Sequence, residues 1–182
     1  MEVRNRRDRP LVASPHTPGR TAALSLQLSQ AHNELRRRLA NLRAGLARRT
    51  PPEGSVSDDF PSDGSLGAHC LAFCAALTNH HQGEGQGLFT ALVRERPDLA
   101  PTVAKLAEDH DLITHILARV RDLAEQAVRA TDLEAVGREL DGLAAIMESH
   151  FAYEERAIGA ALDAGVDGRE DWSGPVLRFR AP

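Results

Sequence analysis

Apolar residues recur at intervals of three and four along four separate stretches of the chain, and that period calls for helices that each bury one stripe. In residues 21–48 the stripe is Leu28, His32, Leu35, Leu39, Leu42 and Leu46. In residues 66–94 it runs Leu66, His69, Phe73, Ala76, His80, Glu84, Gly87 and Ala91. Residues 99–130 carry Val103, Leu106, His110, Ile113, Leu117, Val120 and Ala124. Residues 131–164 carry Val136, Leu140, Leu143, Met147, His150, Glu154, Ala157 and Ala161. Leu and Ala dominate the apolar set while aromatics make up 4% of the chain, which favours helix packing over a sheet.

The breaks between stripes are equally legible. Residues 50–66 are rich in Pro, Ser, Asp and Gly and read as a long flexible loop. Arg96-Pro97-Asp98 ends the second stripe, with Asp98 as N-cap of the third helix. Thr131, followed three residues later by Glu134, reads as a capping box opening the fourth. Four helices around one core predict an all-α, up-down-up-down four-helix bundle over residues 21–164. Residues 1–20 are polar, proline-containing and aperiodic, and are expected to form a disordered arm. Residues 165–182 form a tail that holds Trp172, the lone tryptophan.

Composition excludes several classes. A net charge of -4 gives no global signal for nucleic acid or anionic membrane, and the arginines at 4, 6, 7 and 9 read as a solvated run. No apolar stretch approaches the ~20 residues that cross a bilayer. The first twenty residues hold three prolines and five arginines with no apolar core, so they do not read as a secretory signal. Cytoplasmic placement is the expectation. Cys70 and Cys74, the two cysteines, read as small buried hydrophobes in a reducing compartment.

Each stripe carries a histidine: His32, His80, His110 and His150. The second and fourth add a carboxylate one turn later, Glu84 and Glu154, on the same helix face about 6 Å along the axis. The chain thus reads as two copies of one unit, His32 with His80-x3-Glu84 and His110 with His150-x3-Glu154. A buried carboxylate costs several kcal/mol unless compensated, and a whole domain is stable by only about 5–15 kcal/mol. Two acids and four imidazoles in one layer therefore need positive charge among them, from protonated histidines or, with better geometry, from divalent metal. Imidazole and carboxylate without thiolate suit iron, with zinc or manganese behind, and six ligands on four helices fit two ions bridged by two carboxylates.

Inward histidines on the first and third helices, with His-x3-Glu on the second and fourth, resemble the hemerythrin-like (HHE cation-binding) proteins. The most specific phrases are His80-His81-x2-Glu84-x4-Phe89 and His150-Phe151-x-Tyr153-Glu154-Glu155. The ferritin-like alternative wants Glu-x2-His motifs, which are not the ones seen here. The resemblance implies His32 and His80 as terminal ligands of one iron, His110 and His150 of the other. It implies Glu84 and Glu154 as bridges, beside an oxo or hydroxo group. Oxygen-carrying hemerythrins have a second histidine one turn after the third-helix ligand, where this chain has Thr114. That departure leaves an extra open position and favours reaction with peroxide, O2 or nitric oxide over pure oxygen carriage.

Several neighbours stay open. His81 is an alternative to His80, or a surrounding or surface residue, and Tyr153 is a ligand or hydrogen-bond donor to a bound oxidant, or an edge residue. His115 reads as a surface histidine, and His69 as an end-of-bundle one, some 16 Å from His80. Gly83, Gly85 and Gly87 around Glu84 mean either close helix packing or a local bulge. Turnover, including catalase-like peroxide removal, and ligand sensing through the tails as protein-partner surfaces require the same inner ligands.

Overall fold

The computed structural model describes residues 23–48, 65–126, 130–166 and 169–177. The elements are α1 (Leu24–Ala47), α2 (Ser65–Gly83), a π-helical turn (Glu84–Leu88), α3 (Phe89–Glu95), a 3-10 turn (Pro97–Leu99), α4 (Ala100–Gln126), α5 (Ala130–Ala164) and α6 (Arg169–Leu177). Among the described residues there is no strand. The expected N-terminal arm and nearly all of the first loop lie outside the described residues.

α2, the π turn and α3 follow one another without interruption and make up the expected second helix. α1 packs on α2 and α5, and α4 packs on α2 and α5, so the four long helices close a ring in chain order. The α1–α5 seam runs antiparallel. Ser25 Oγ donates to Asp163 at 2.7 Å, Arg36 pairs with Glu148 at 2.8 Å and Arg43 donates to Asp141 at 2.6 Å, one partner rising as the other falls. Arg119–Glu139 and Asp109–His150 set the same sense between α4 and α5. This is the up-down-up-down helical bundle.

The stripes of α1, α4 and α5 are buried along most of their length; all six stripe residues of α1 are shielded from solvent. The stripe of α2 needs correction. His69 is exposed and Ala76 half-buried, while Cys70, Phe73, Cys74 and Leu77 are buried. At 100° per residue, the buried face is centred between His80 and His81 rather than on His80. Two boundary expectations also change. Asp98 sits in the 3-10 turn, bonded twice to Arg96 at 2.9 and 2.7 Å, instead of capping α4. α5 already includes Ala130, so Thr131 is inside the helix, and its side chain lies outside the described ones.

The core is two apolar clusters stacked along the bundle axis. One contains Leu39, Leu77, Ile113, Leu140, Met147 and Phe151. The other contains Leu28, Leu88, Leu92, Leu106, Ile158 and Val176. Between them, at the level where each long helix passes from one cluster to the other, lies a layer of buried histidines and glutamates. α6 packs outside the ring on α2, the π turn and α1. No described helix is long and apolar enough to cross a membrane.

Candidate metal centre

The six residues marked by the sequence, His32, His80, Glu84, His110, His150 and Glu154, are all buried and meet in this one layer. His32 comes from α1, His80 from α2, His110 from α4, and His150 with Glu154 from α5, while Glu84 opens the π turn. In that turn the Phe89 N–H reaches back five residues to the Glu84 carbonyl, a widening of the helix that often marks a functional site.

Two groups of potential ligand atoms stand side by side, His32–His80–Glu84 and His81–His110–His150. Within each, the atoms lie within 4.8 Å of one another. Glu84 spans the groups. Its Oε1 is 3.0 Å from His80 Nε2 and 4.0 Å from His32 Nε2, and its Oε2 is 3.4 Å from His110 Nε2. Glu154 spans them from the opposite helix, with Oε2 3.4 Å from His32 Nε2 and 3.6 Å from His150 Nε2.

Outward hydrogen bonds fix which ring nitrogen faces inward. His32 Nδ1 donates to Glu155 at 2.8 Å, His80 Nδ1 to the Val176 carbonyl at 3.0 Å, and His150 Nδ1 to Asp109 at 3.3 Å. A neutral imidazole with its proton on Nδ1 presents a lone pair at Nε2. The inward Nε2 of His80 is therefore an acceptor aimed at a carboxylate oxygen 3.0 Å away, and the Nε2 atoms of His110 and His150 stand 3.1 Å apart. Donor atoms this close together could share one cation, whose bonds to nitrogen or oxygen run about 2.1 Å. His32 Nε2, both nitrogens of His81 and all four carboxylate oxygens of Glu84 and Glu154 are buried with no hydrogen-bond partner among the described residues. Buried polar atoms left so are costly, and a cation in the layer would satisfy the carboxylate oxygens, His32 Nε2 and one of the two His81 nitrogens.

Electrostatics agree. Burial holds His81 and His150 below the usual histidine range and brings His110 to about 4, so these rings stay neutral, as metal ligands must. Burial also opposes ionisation of both acids. In the metal-free layer, charge on His80 and hydrogen bonds from His32 and His80 outweigh that penalty and hold Glu84 well below the usual carboxylate range, a part a bound cation would take over from rings in the lone-pair tautomer. Glu154 has no such surplus, and burial together with the Glu84 charge holds it protonated. Two buried carboxylates that cannot both ionise are a pair waiting for positive charge. Glu155 is different: its bond from His32 and its Arg36 partner bring it to about 2.

Of the readings open for His81, the structure removes the surface one. His81 is buried, its ring stacks on His110 at 4.0 Å, and it belongs to the three-histidine group. It stands beside His80, not in place of it: α2 lies between α1 and α4, and the two consecutive side chains turn to different neighbours. The Tyr153 ring is in neither ligand group. It is half-buried at the edge of the second apolar cluster, with Lys105 Nζ 4.8 Å and Arg156 Cζ 5.7 Å from its centroid. His115 is on the surface, its Nδ1 donating to the Asp111 carbonyl at 2.7 Å, and His69 is exposed. The glycines divide: a Cβ on Gly83 would meet Pro175 at 2.8 Å, which is close packing, whereas one on Gly85 would meet nothing within 4 Å.

A helical bundle with a sealed His/Glu layer of this kind is a cation-binding domain. The family described as the hemerythrin HHE cation-binding domain matches residues 25–162. The chain belongs to that family, and the matched region runs from the first turn of α1 almost to the end of α5. No curated protein and no solved structure matches the chain.

Proposed function

We propose that the chain is a non-haem di-iron protein that binds or reacts with small oxidants (peroxide, O2 or nitric oxide), with catalase-like peroxide removal as its concrete activity. The observation that carries this reading is the convergence of imidazole lone pairs and carboxylate oxygens in a buried layer, with two acids so placed that each touches both groups. Imidazole and carboxylate without thiolate favour iron over zinc or manganese. In this assignment His32 and His80 would hold one ion, His110 and His150 the other with His81 added, and Glu84 and Glu154 would be shared between them. A bound iron pair supplies redox couples and open positions for a small ligand. The chain's own part is to hold each imidazole in one tautomer through Glu155, Val176 and Asp109, to exclude water with an apolar cluster on either side, and to leave the His32–His80 ion with the smaller histidine set.

Oxygen evolution from peroxide tests turnover. The iron-loaded chain is expected to exceed the same concentration of free iron; equality would remove the enzymatic reading. One observation favours a second reading, a sensor or carrier of oxygen, nitric oxide or iron: α6, which lies beyond the matched residues, bonds directly to His80. That reading expects tight ligand binding without turnover and a protein partner at the tails. The two buried free thiols, Cys70 and Cys74, support placement in the reducing cytoplasm.

A further inference from the structure

The family match ends at residue 162, yet the buried imidazole of His80 finds its outer hydrogen-bond partner in residue 176. Three features dock this partner. Gly83, one turn past His80, gives α6 a notch: a Cβ there would lie 2.8 Å from both Cβ and Cγ of Pro175 and 3.0 Å from Cγ2 of Val176. The Val176 side chain is fully buried in the second apolar cluster beside Leu88 and Phe89. Finally, Val176 is in the last turn of α6, where a helix leaves its carbonyls without partners inside the helix.

We infer that α6 is a positioning strap for one of the two metal sites, with the Val176 carbonyl holding His80 in the tautomer that presents Nε2 to the His32–His80 ion. The other outward partners, Glu155 and Asp109, are carboxylates within the bundle helices, whereas His80 is held by a neutral carbonyl from an added helix. The strap gives that ion a dependence on the C-terminal segment that the His110–His150 ion does not share. Outer partners of metal-bound histidines typically change affinity by about 10–100-fold when removed.

The inference rests on the metal-binding reading, and the experiment separates the two. The full-length chain is loaded with ferrous iron, and iron content and release to a ferrous chelator are measured for wild type, Gly83→Ala, Val176→Asp and Gly85→Ala. Gly83→Ala improves helix propensity, so a loss of metal cannot be assigned to unfolding of α2, and Gly85→Ala controls for the added methyl. The expected result is 10–100-fold faster release of one iron of two in Gly83→Ala and Val176→Asp, with the other iron unchanged and Gly85→Ala like wild type. Wild-type release of both irons in Gly83→Ala and Val176→Asp would overturn the strap. A wild-type chain that takes up no iron would instead sink the di-iron reading. The strap is then judged by the His80 nitrogen NMR signals of the metal-free chain. These are expected to show a protonated Nδ1 in wild type and Gly85→Ala, and a tautomer mixture in the other two variants. Identical His80 signals in all four chains would overturn it.

Discussion

His80 and His81 are neighbours in sequence that face different neighbours in space. His80 meets His32 of α1 at 5.1 Å between ring centroids, and His81 stacks on His110 of α4 at 4.0 Å. The internal repeat pairs His81 with Phe151, and the structure keeps that pairing: Phe151 stacks on His32 at 3.9 Å. The repeat marks four histidines and two acids, and the structure brings those six into one buried layer, but a single stripe per helix has room for only one inward residue at each level, so it leaves His81 open. The analogy with Phe151 supplies its test. His81→Phe retains a stacking ring and removes both nitrogens. If His81 is a ligand, one iron site should weaken by at least 10-fold in a competition titration; unchanged affinity for both would reduce His81 to packing. A second residue-scale prediction concerns pH. Burial lowers the folded-state pKa of His81, His110 and His150 from an ordinary 6.5, so the unfolded chain binds more protons below neutrality. Their contribution to stability is complete above about pH 6.5 and is lost as pH falls toward about 4, where His110 titrates. Glu154, raised, works the other way and offsets part of this between pH 4.5 and its own folded value. Three lowered imidazoles against one raised acid set the expected sign. The metal-free chain should therefore melt at a lower temperature at pH 5 than at pH 7; an equal or higher midpoint at pH 5 would contradict this balance.

At the scale of elements, α1, α4 and α5 were legible because an uninterrupted 3.6-residue period survives along each. The second helix was harder. Its stripe, traced through His69, Ala76 and His80, runs along one edge of the true buried face, and Leu77, completely buried, falls outside it. Small residues and histidines at mixed positions blur the moment of this helix, and the π turn at Glu84–Leu88 interrupts its period. Leu77→Ala is expected to destabilise the chain by about 2–5 kcal/mol, whereas Leu71→Ala, on the exposed face of the same helix, should change stability by no more than ~0.5 kcal/mol. Chemical denaturation of both variants measures the difference, and equal losses would mean that the face is wrongly oriented. α6 was not legible at all. Nine residues containing Gly174 and Pro175 carry no strong helical signal, and what holds them is a notch in another helix and a histidine proton more than ninety residues away.

For the whole molecule, the arrangement is a polar layer held between two apolar clusters, and each part depends on the others. The clusters exclude water, which makes the unpartnered acids and imidazoles expensive in the absence of a cation and selective for one in its presence. Fold class and the six residues of the layer are readable because buried polar residues on helices must obey the same spacing as the core they interrupt. The account predicts that metal and fold are linked: iron loading should raise the thermal midpoint, since a ligand that binds only the native state stabilises it. The most direct test is iron content and the near-ultraviolet spectrum of wild type beside Glu84→Ala and Glu154→Ala. The account predicts about two irons per wild-type chain, the ratio set by two ligand groups, with an oxo-bridge absorption that both variants lose. Full iron content in either variant, or none in the wild type purified without chelator, would contradict it.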